Sequence, residues 1–359
     1  MNSDLLTAVW ARPDWRPQLS AREWESLFGQ ARQSSLLARL AYLNVDRGFL
    51  PEIPDGPRYH LEGALRLADR QQHEVRWEVD CIRRALRDID TPIILLKGAA
   101  YLMANLSTAR GRLFSDIDIL VSFEKIESTE NALFNAGWIS EECDTYNERY
   151  YRKWMHEIPP LRHIHRNSFI DLHHTITPPT SRFKVNGHQL LLNIKPLAEY
   201  PGLYVLAPED MVLHSAVHLF QEGEFGNGLR DLLDLRDLLT DFTRQPEFWN
   251  TLLNRADTLG LHIPLFHAVF HLRRLFNFSP PSAILERLNR MGPNTLSRAL
   301  MAWMLNLALK PNHPSTNTRW SGLARWLLYI RSHAIRMPVQ LLIPHLLRKS
   351  WMQRFPKKL

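Results

Sequence analysis

Cysteine is scarce in this chain. Cys81 and Cys143 are the two found in 359 residues, and their separation matches no metal-binding spacing. Neither a disulfide framework nor a cysteine-ligated zinc site is expected, and a reducing, cytoplasmic setting is. Long apolar runs are also missing. The longest such window, residues 299–309, is interrupted by Asn306 and falls short of the roughly 20 residues that a membrane-spanning helix needs. No transmembrane helix is expected. The opening Met1-Asn2-Ser3-Asp4 has neither the basic nor the apolar region of a secretion signal. Internal repeats and low-complexity tracts are absent too.

Negative charge is missing from one end. No Asp or Glu follows Glu286, whereas 13 Lys and Arg do, so the formal net charge of +7 combines a mildly acidic body with a strongly basic tail. Trp320, Trp326, Tyr329 and Trp351 lie among those basic residues. Such a tail suits peripheral contact with an anionic membrane, with nucleic acid as the less favoured partner. A helical subdomain whose arginines are solvated or pack on the acidic body explains the same pattern.

What is present is a chain that is 45% hydrophobic, enough for one large or two modest domains. Residues 20–43 and 59–88 carry apolar side chains at helical spacing, and Ser20 with Glu23 fits a capping box. The pattern changes at Thr91-Pro92. Ile93-Ile94-Leu95-Leu96 is a short β-branched run of the kind that forms a buried strand, closed by Lys97-Gly98 and followed by a short helix over 99–106. A strand over 116–121, a helix over 123–136 and a strand from Trp138 come next. Residues 146–155 and 162–176 read as two extended segments joined around Pro159-Pro160. Beyond Pro178-Pro179 the pattern is helical, with a start at Pro208-Glu209-Asp210, ion pairs along 229–239, and helices over 246–259, 262–276 and 281–309. Residues 311–317 read as a linker to the basic tail. The expected organisation is a helical region over 1–82, a core over 83–204, a helical domain over 205–310 and the tail over 311–359.

The strand over 116–121 holds the most informative residues. Side chains alternate along a strand, so Asp116 and Asp118 point to one side, and Ile117, Ile119 and Val121 to the other. Asp is a poor strand former, and two neighbouring anions on a half-buried strand call for a cation or a protonation shift. In the second extended segment Phe169, Asp171 and His173 share a face, which adds a third carboxylate. Three carboxylates on adjacent strands make an oxygen site suited to Mg2+ or Mn2+, ions that bind triphosphate oxygens as readily as protein carboxylates. Lys97, Arg110 and Arg112 would supply positive charge near phosphate. His214 and His218 share a helix face but lack the glutamate of the metalloprotease motif, and they read as lining a helix interface.

Taken together, Leu96-Lys97-Gly98, Ser115-Asp116-Ile117-Asp118-Ile119-Leu120-Val121 and Ile170-Asp171-Leu172-His173 make the chain resemble a family of largely uncharacterised bacterial nucleotidyltransferases of the DNA polymerase β type. The resemblance covers about residues 83–178, with an echo in His214, His218 and Asp231. It implies an α+β fold, with a polymerase β-like core of a small mixed sheet and helices, flanked by N-terminal and C-terminal helical regions. It further implies that Asp116, Asp118 and Asp171 are metal-binding and catalytic, and that Gly98 lies on the turn near the nucleotide phosphates. Lys97, Arg110, Arg112 and Ser115 would complete the nucleotide site. The superfamily's usual Gly-Ser turn is Gly98-Ala99 here. The expected activity is transfer of a nucleoside monophosphate from a nucleoside triphosphate to an acceptor such as a small molecule, peptide or glycan precursor. Two alternatives stay open: a nucleotide-binding module without turnover, and a scaffold that acts through its basic tail.

Overall fold

A computed structural model describes residues 4–140, 144–221, 223–338, 340 and 342 of the chain. Cys143 and Trp351 lie outside the described residues, as does most of 339–359; Cys81 is a half-buried free thiol.

A mixed sheet organises the middle of the chain. In chain order its strands are β1 (Ile93–Leu95), β2 (Ile117–Leu120), β3 (Trp138–Ser140), β4 (Leu161–His163), β5 (Phe169–His173), β6 (Ile194–Pro196) and β7 (Leu203–Leu206). They lie side by side in the order β3-β4-β5-β2-β1-β7-β6. β1 and β2 are the central pair and are buried throughout, which is where β-branched residues fit best. β1 runs antiparallel to β2, with Ile94 opposite Leu120. β2 runs parallel to β5, so that Ile117 faces Ile170 and Asp118 faces Asp171.

Helices enclose this sheet from both ends of the sequence. On the N-terminal side Ala21–Gln33 begins with the expected capping box, in which Ser20 and Glu23 satisfy each other's backbone N–H. The long helix Asp55–Ala85 packs on Leu37–Asp46 and on Lys97–Met103. On the C-terminal side Pro208–Gln221 is buried along nearly its whole length and packs against Gly228–Phe242, Phe248–Leu259 and His262–Phe276. One apolar cluster runs through all of these elements, from Leu6 to Leu328.

Four expectations need correction. Residues 146–155 are not extended: Thr145–Trp154 is a helix, with Tyr150 edge-on to both Tyr151 and Trp154. Tyr150 and Trp154, four apart, meet along one face of that helix. Between Pro179 and Pro208 the chain is not simply helical, because β6 and β7 add two strands to the sheet and β7 pairs parallel with β1. Pro196 is tolerated because β6 is at the edge, where a missing N–H breaks no ladder.

The helix expected over 281–309 is two, Ser282–Met291 and Thr295–Ala308. The break falls at Gly292, where a Cβ would meet the Phe266 ring at 2.6 Å. Residues 311–317 are no free linker either. Thr316 is buried and donates to Pro311 O, while Gln30 Nε2 donates to Ser315 Oγ at 2.7 Å, which ties the segment to the first helices.

Candidate active site

Asp118 is the pivot. Strand alternation buries its neighbours Ile117 and Ile119 on the opposite side of β2, and the parallel register sets it beside Asp171 on β5. The residue is 4% exposed, and its carboxylate has two close partners. Lys97 Nζ lies 2.8 Å from Asp118 Oδ1, and His173 Nε2 lies 3.0 Å from the same oxygen. Lys97 opens the helix Lys97–Met103 with φ +43°, a left-handed conformation that a lysine rarely adopts and that tends to mark functional sites.

A short antiparallel run completes the cluster. Ile158 N–H donates to Leu172 O, and His174 N–H to His156 O, which brings Glu157 opposite His173. Glu157 Oε2 is then 3.4 Å from His173 Nε2. Asp118, Asp171 and His173 form one set whose ligand atoms lie within 4.8 Å of one another, and His156, Glu157 and His173 form another. Asp116 belongs to neither. It precedes β2, is exposed, and accepts a hydrogen bond of 2.9 Å from Ser115 Oγ.

All of these groups except the fully buried His173 line a cavity of about 440 Å³. Its acids are Asp116, Asp118, Glu157, Asp171, Asp231 and Asp234, and its arginines are Arg112, Arg230 and Arg336. His218 also reaches this cavity. Burial, then the nearby Lys97 ammonium, hold both His214 and His218 well below the usual imidazole range, so the pair is neutral.

The charges are unequally balanced. Burial would raise the Asp118 carboxyl, but Lys97 and His173 override it and hold it well below the usual range. Burial would likewise lower Lys97 and His173, and in each the carboxylates reverse the effect, so both stay above their ordinary values. Asp171 has only the His173 imidazole to lower it, and that is outweighed. Burial, then Glu157 and Asp118, push it up to about 7.

The donor set therefore fits a divalent cation. Hard carboxylate oxygens converge, an imidazole stands beside them, and the excess negative charge has left one carboxyl needing positive charge to ionise.

The other expected residues are placed as follows. Lys97, Arg112 and Ser115 line the cavity with the three aspartates, whereas Gly98 and Arg110 do not. Arg110 pairs with Asp46 at 2.8 Å and lies over the Tyr42 ring. Gly98 instead makes room for Arg112: a Cβ there would run into the Arg112 guanidinium and come within 3.1 Å of the Phe114 ring. Arg112 is fixed by Asp234 at 3.0 Å, and Asp234 is held in turn by Arg39 at 2.9 Å. Sequence reasoning missed Glu157, His156, Asp234, Arg230 and Arg336. The dense run Met155-His156-Glu157 was a usable signal for the first two, while the arginines are unremarkable until the helices are packed.

Fold and cavity define an α+β protein with an acidic cleft on a mixed sheet, fringed by arginines. The model of a family described as uncharacterised nucleotidyltransferases matches residues 20–277. The chain belongs to that family. None of the curated proteins compared with it matches the chain.

Proposed function

We propose that the cleft transfers a nucleoside monophosphate from a nucleoside triphosphate to an acceptor, and that β1, β2 and β5 with the helix Lys97–Met103 make a core of the DNA polymerase β type. The observation that carries this reading is the in-register pairing of Asp118 with Asp171, with Asp116 lining the same cavity.

In this reading Asp118 and Asp171, with Asp116 at the mouth, hold Mg2+ or Mn2+. When bound, such a cation supplies charge neutralisation at the triphosphate and at the departing pyrophosphate. Arg112, locked by Asp234, and Arg230 face the triphosphate oxygens, and Ser115 orients Asp116. The acceptor oxygen or nitrogen attacks the α-phosphorus and loses its proton to the Asp171 carboxylate. The bond from the α-phosphorus to the bridging oxygen breaks, and pyrophosphate leaves.

One observation favours a second reading, a nucleotide-binding module without turnover: the Lys97 ammonium already sits on the Asp118 oxygen that a cation would need. Calorimetric titration with Mg2+ and a non-hydrolysable triphosphate tests what the two share. Heat of binding that disappears in Asp118→Asn supports both, and no binding by the wild-type chain defeats both. Pyrophosphate release in cell extract that the wild-type chain increases and Asp118→Asn does not separates them, since only a chain with turnover adds to what the extract produces.

A further inference from the structure

The C-terminal helices are apolar on the wrong side as well as the right one. Ser321–Arg336 packs Ala324, Leu328 and Ile335 inward, yet it exposes Leu323, Trp326 (58%), Tyr329 and Ile330 along its outer face. The helix it packs against, Thr295–Ala308, exposes Leu296 (81%), Leu300 and Trp303 at i, i+4 and i+7. Of the seventeen large hydrophobic residues that are exposed among the described residues, eight fall between 296 and 330. Such clustering marks an interaction surface, whereas scattered exposed residues do not.

Charge selects what covers it. Residues 287–338 hold eight Lys and Arg and no Asp or Glu. Arg319 is exposed, with its guanidinium over the Trp320 ring. At one end Gly223, which packs against Tyr329 and Ser332, is flanked in sequence by Glu222 and Glu224. A second copy docked on this face would bring two positive segments together without acids of their own to offset them, which opposes a symmetric dimer.

A nucleic acid backbone offers nothing to Leu296, Leu300, Leu323 and Ile330. Arg331 donates to Phe220 O and Arg325 to Asn312 and Asn317, so the positive charge offered outward comes from others such as the exposed Arg319. Aliphatic and aromatic side chains beside fixed positive charge suit the boundary between lipid headgroups and acyl chains.

We infer that this two-helix face docks on an anionic lipid surface. The helix that bears half of it ends at Arg336, which lines the cavity, so the docked face and the cleft share one element. The inference stands whether or not the cleft turns over nucleotide.

Co-sedimentation of the full chain with phosphatidylcholine vesicles, with and without about 30% phosphatidylglycerol, tests it. The expected result is binding to the anionic vesicles at least roughly tenfold above the neutral ones, reduced roughly tenfold by the double variant Trp326→Ser/Ile330→Ser. Both positions are exposed, so the variant keeps its circular dichroism spectrum and melting temperature. Equal pelleting of wild type and variant overturns the inference, as does failure of the wild type to pellet. Two other results also overturn it: a wild-type dimer in sedimentation equilibrium that the double variant breaks, which assigns the face to a second copy, and retention of RNA that the same variant abolishes.

Discussion

Asp118 and Asp171 are register partners on adjacent parallel strands, yet they hold protons oppositely. Asp118 is kept well below the usual carboxylate range by Lys97 and His173, while Asp171, with only the His173 imidazole to lower it, is pushed up to about 7 by burial, Glu157 and Asp118. If the pair holds a divalent cation, this asymmetry yields the first prediction. Below pH 7 Asp171 carries a proton that must leave before its oxygen can ligate. Mn2+ affinity then rises roughly tenfold per pH unit up to about 7 and levels off above it, with release of a proton. Calorimetry in buffers of different ionisation enthalpy measures both.

The same carboxyl sets a stability trade-off. Its folded-state value lies above its unfolded one, so the folded state binds the extra proton between about pH 4 and 7. The associated stability is present at low pH and is lost as pH rises through that window. In the absence of metal, Asp171→Asn is therefore expected to be more stable than wild type above pH 7, on the order of a few kcal/mol. Urea unfolding at pH 5 and pH 8 checks it, with the gain confined to the higher pH.

Lys97→Met leaves the Asp118 carboxylate buried without its ammonium, a loss of about 3–5 kcal/mol for a buried pair. If a cation belongs beside Asp118, millimolar Mn2+ raises the melting temperature of this variant more than that of wild type. An equal rise in both counts against cation binding at that oxygen.

Gly98→Ala drives a Cβ into the Arg112 guanidinium and so disturbs the Arg112–Asp234 pair. The expected cost is about 1–3 kcal/mol, together with weaker triphosphate binding. Paired with Arg112→Ala the two losses are less than additive, by about 1 kcal/mol or more. Additive losses mean that Gly98 acts independently of Arg112.

Acid lability has a source remote from the cleft and opposite in sign to the Asp171 effect. Burial holds His267 and His271 down to about 3, and His271 stacks on Phe220. Their folded-state values lie below the unfolded one, so their stability is present above pH 6.5 and lost as pH falls toward 3. Each contributes up to about 1.4 kcal/mol per pH unit in that window. His271→Phe flattens the fall between pH 6.5 and 5 in denaturant titrations.

The parts of this site that were legible in the sequence are those set by local rules. Alternation alone placed Asp118 against the buried Ile117 and Ile119, and Asp171 on a strand two residues before His173. The capping box at Ser20 and the buried run at Ile93 were legible for the same reason. What could not be read depends on residues far apart in the chain. Lys97 meets Asp118 across 21 positions, Arg112 meets Asp234 across 122, and Glu157 reaches His173 through a two-residue antiparallel contact with no strand pattern of its own. The role of Gly98 was invisible because it depends on where Arg112 comes to rest. β6 and β7 were overlooked because each is only three or four residues long, and β6 contains a proline that only an edge position allows.

The central claim is that the Asp118–Asp171 pair supports nucleotidyl transfer. It is tested most directly by incubating the chain with α-phosphate-labelled nucleoside triphosphates, Mn2+ and cell extract, and following label transferred to an acceptor together with pyrophosphate. The account predicts both products from the wild-type chain, and a loss of roughly a hundredfold or more in Asp118→Asn and in Asp171→Asn, each folded by circular dichroism. Label transfer that persists unchanged in both variants, or its absence from the wild-type chain with every nucleotide, contradicts it.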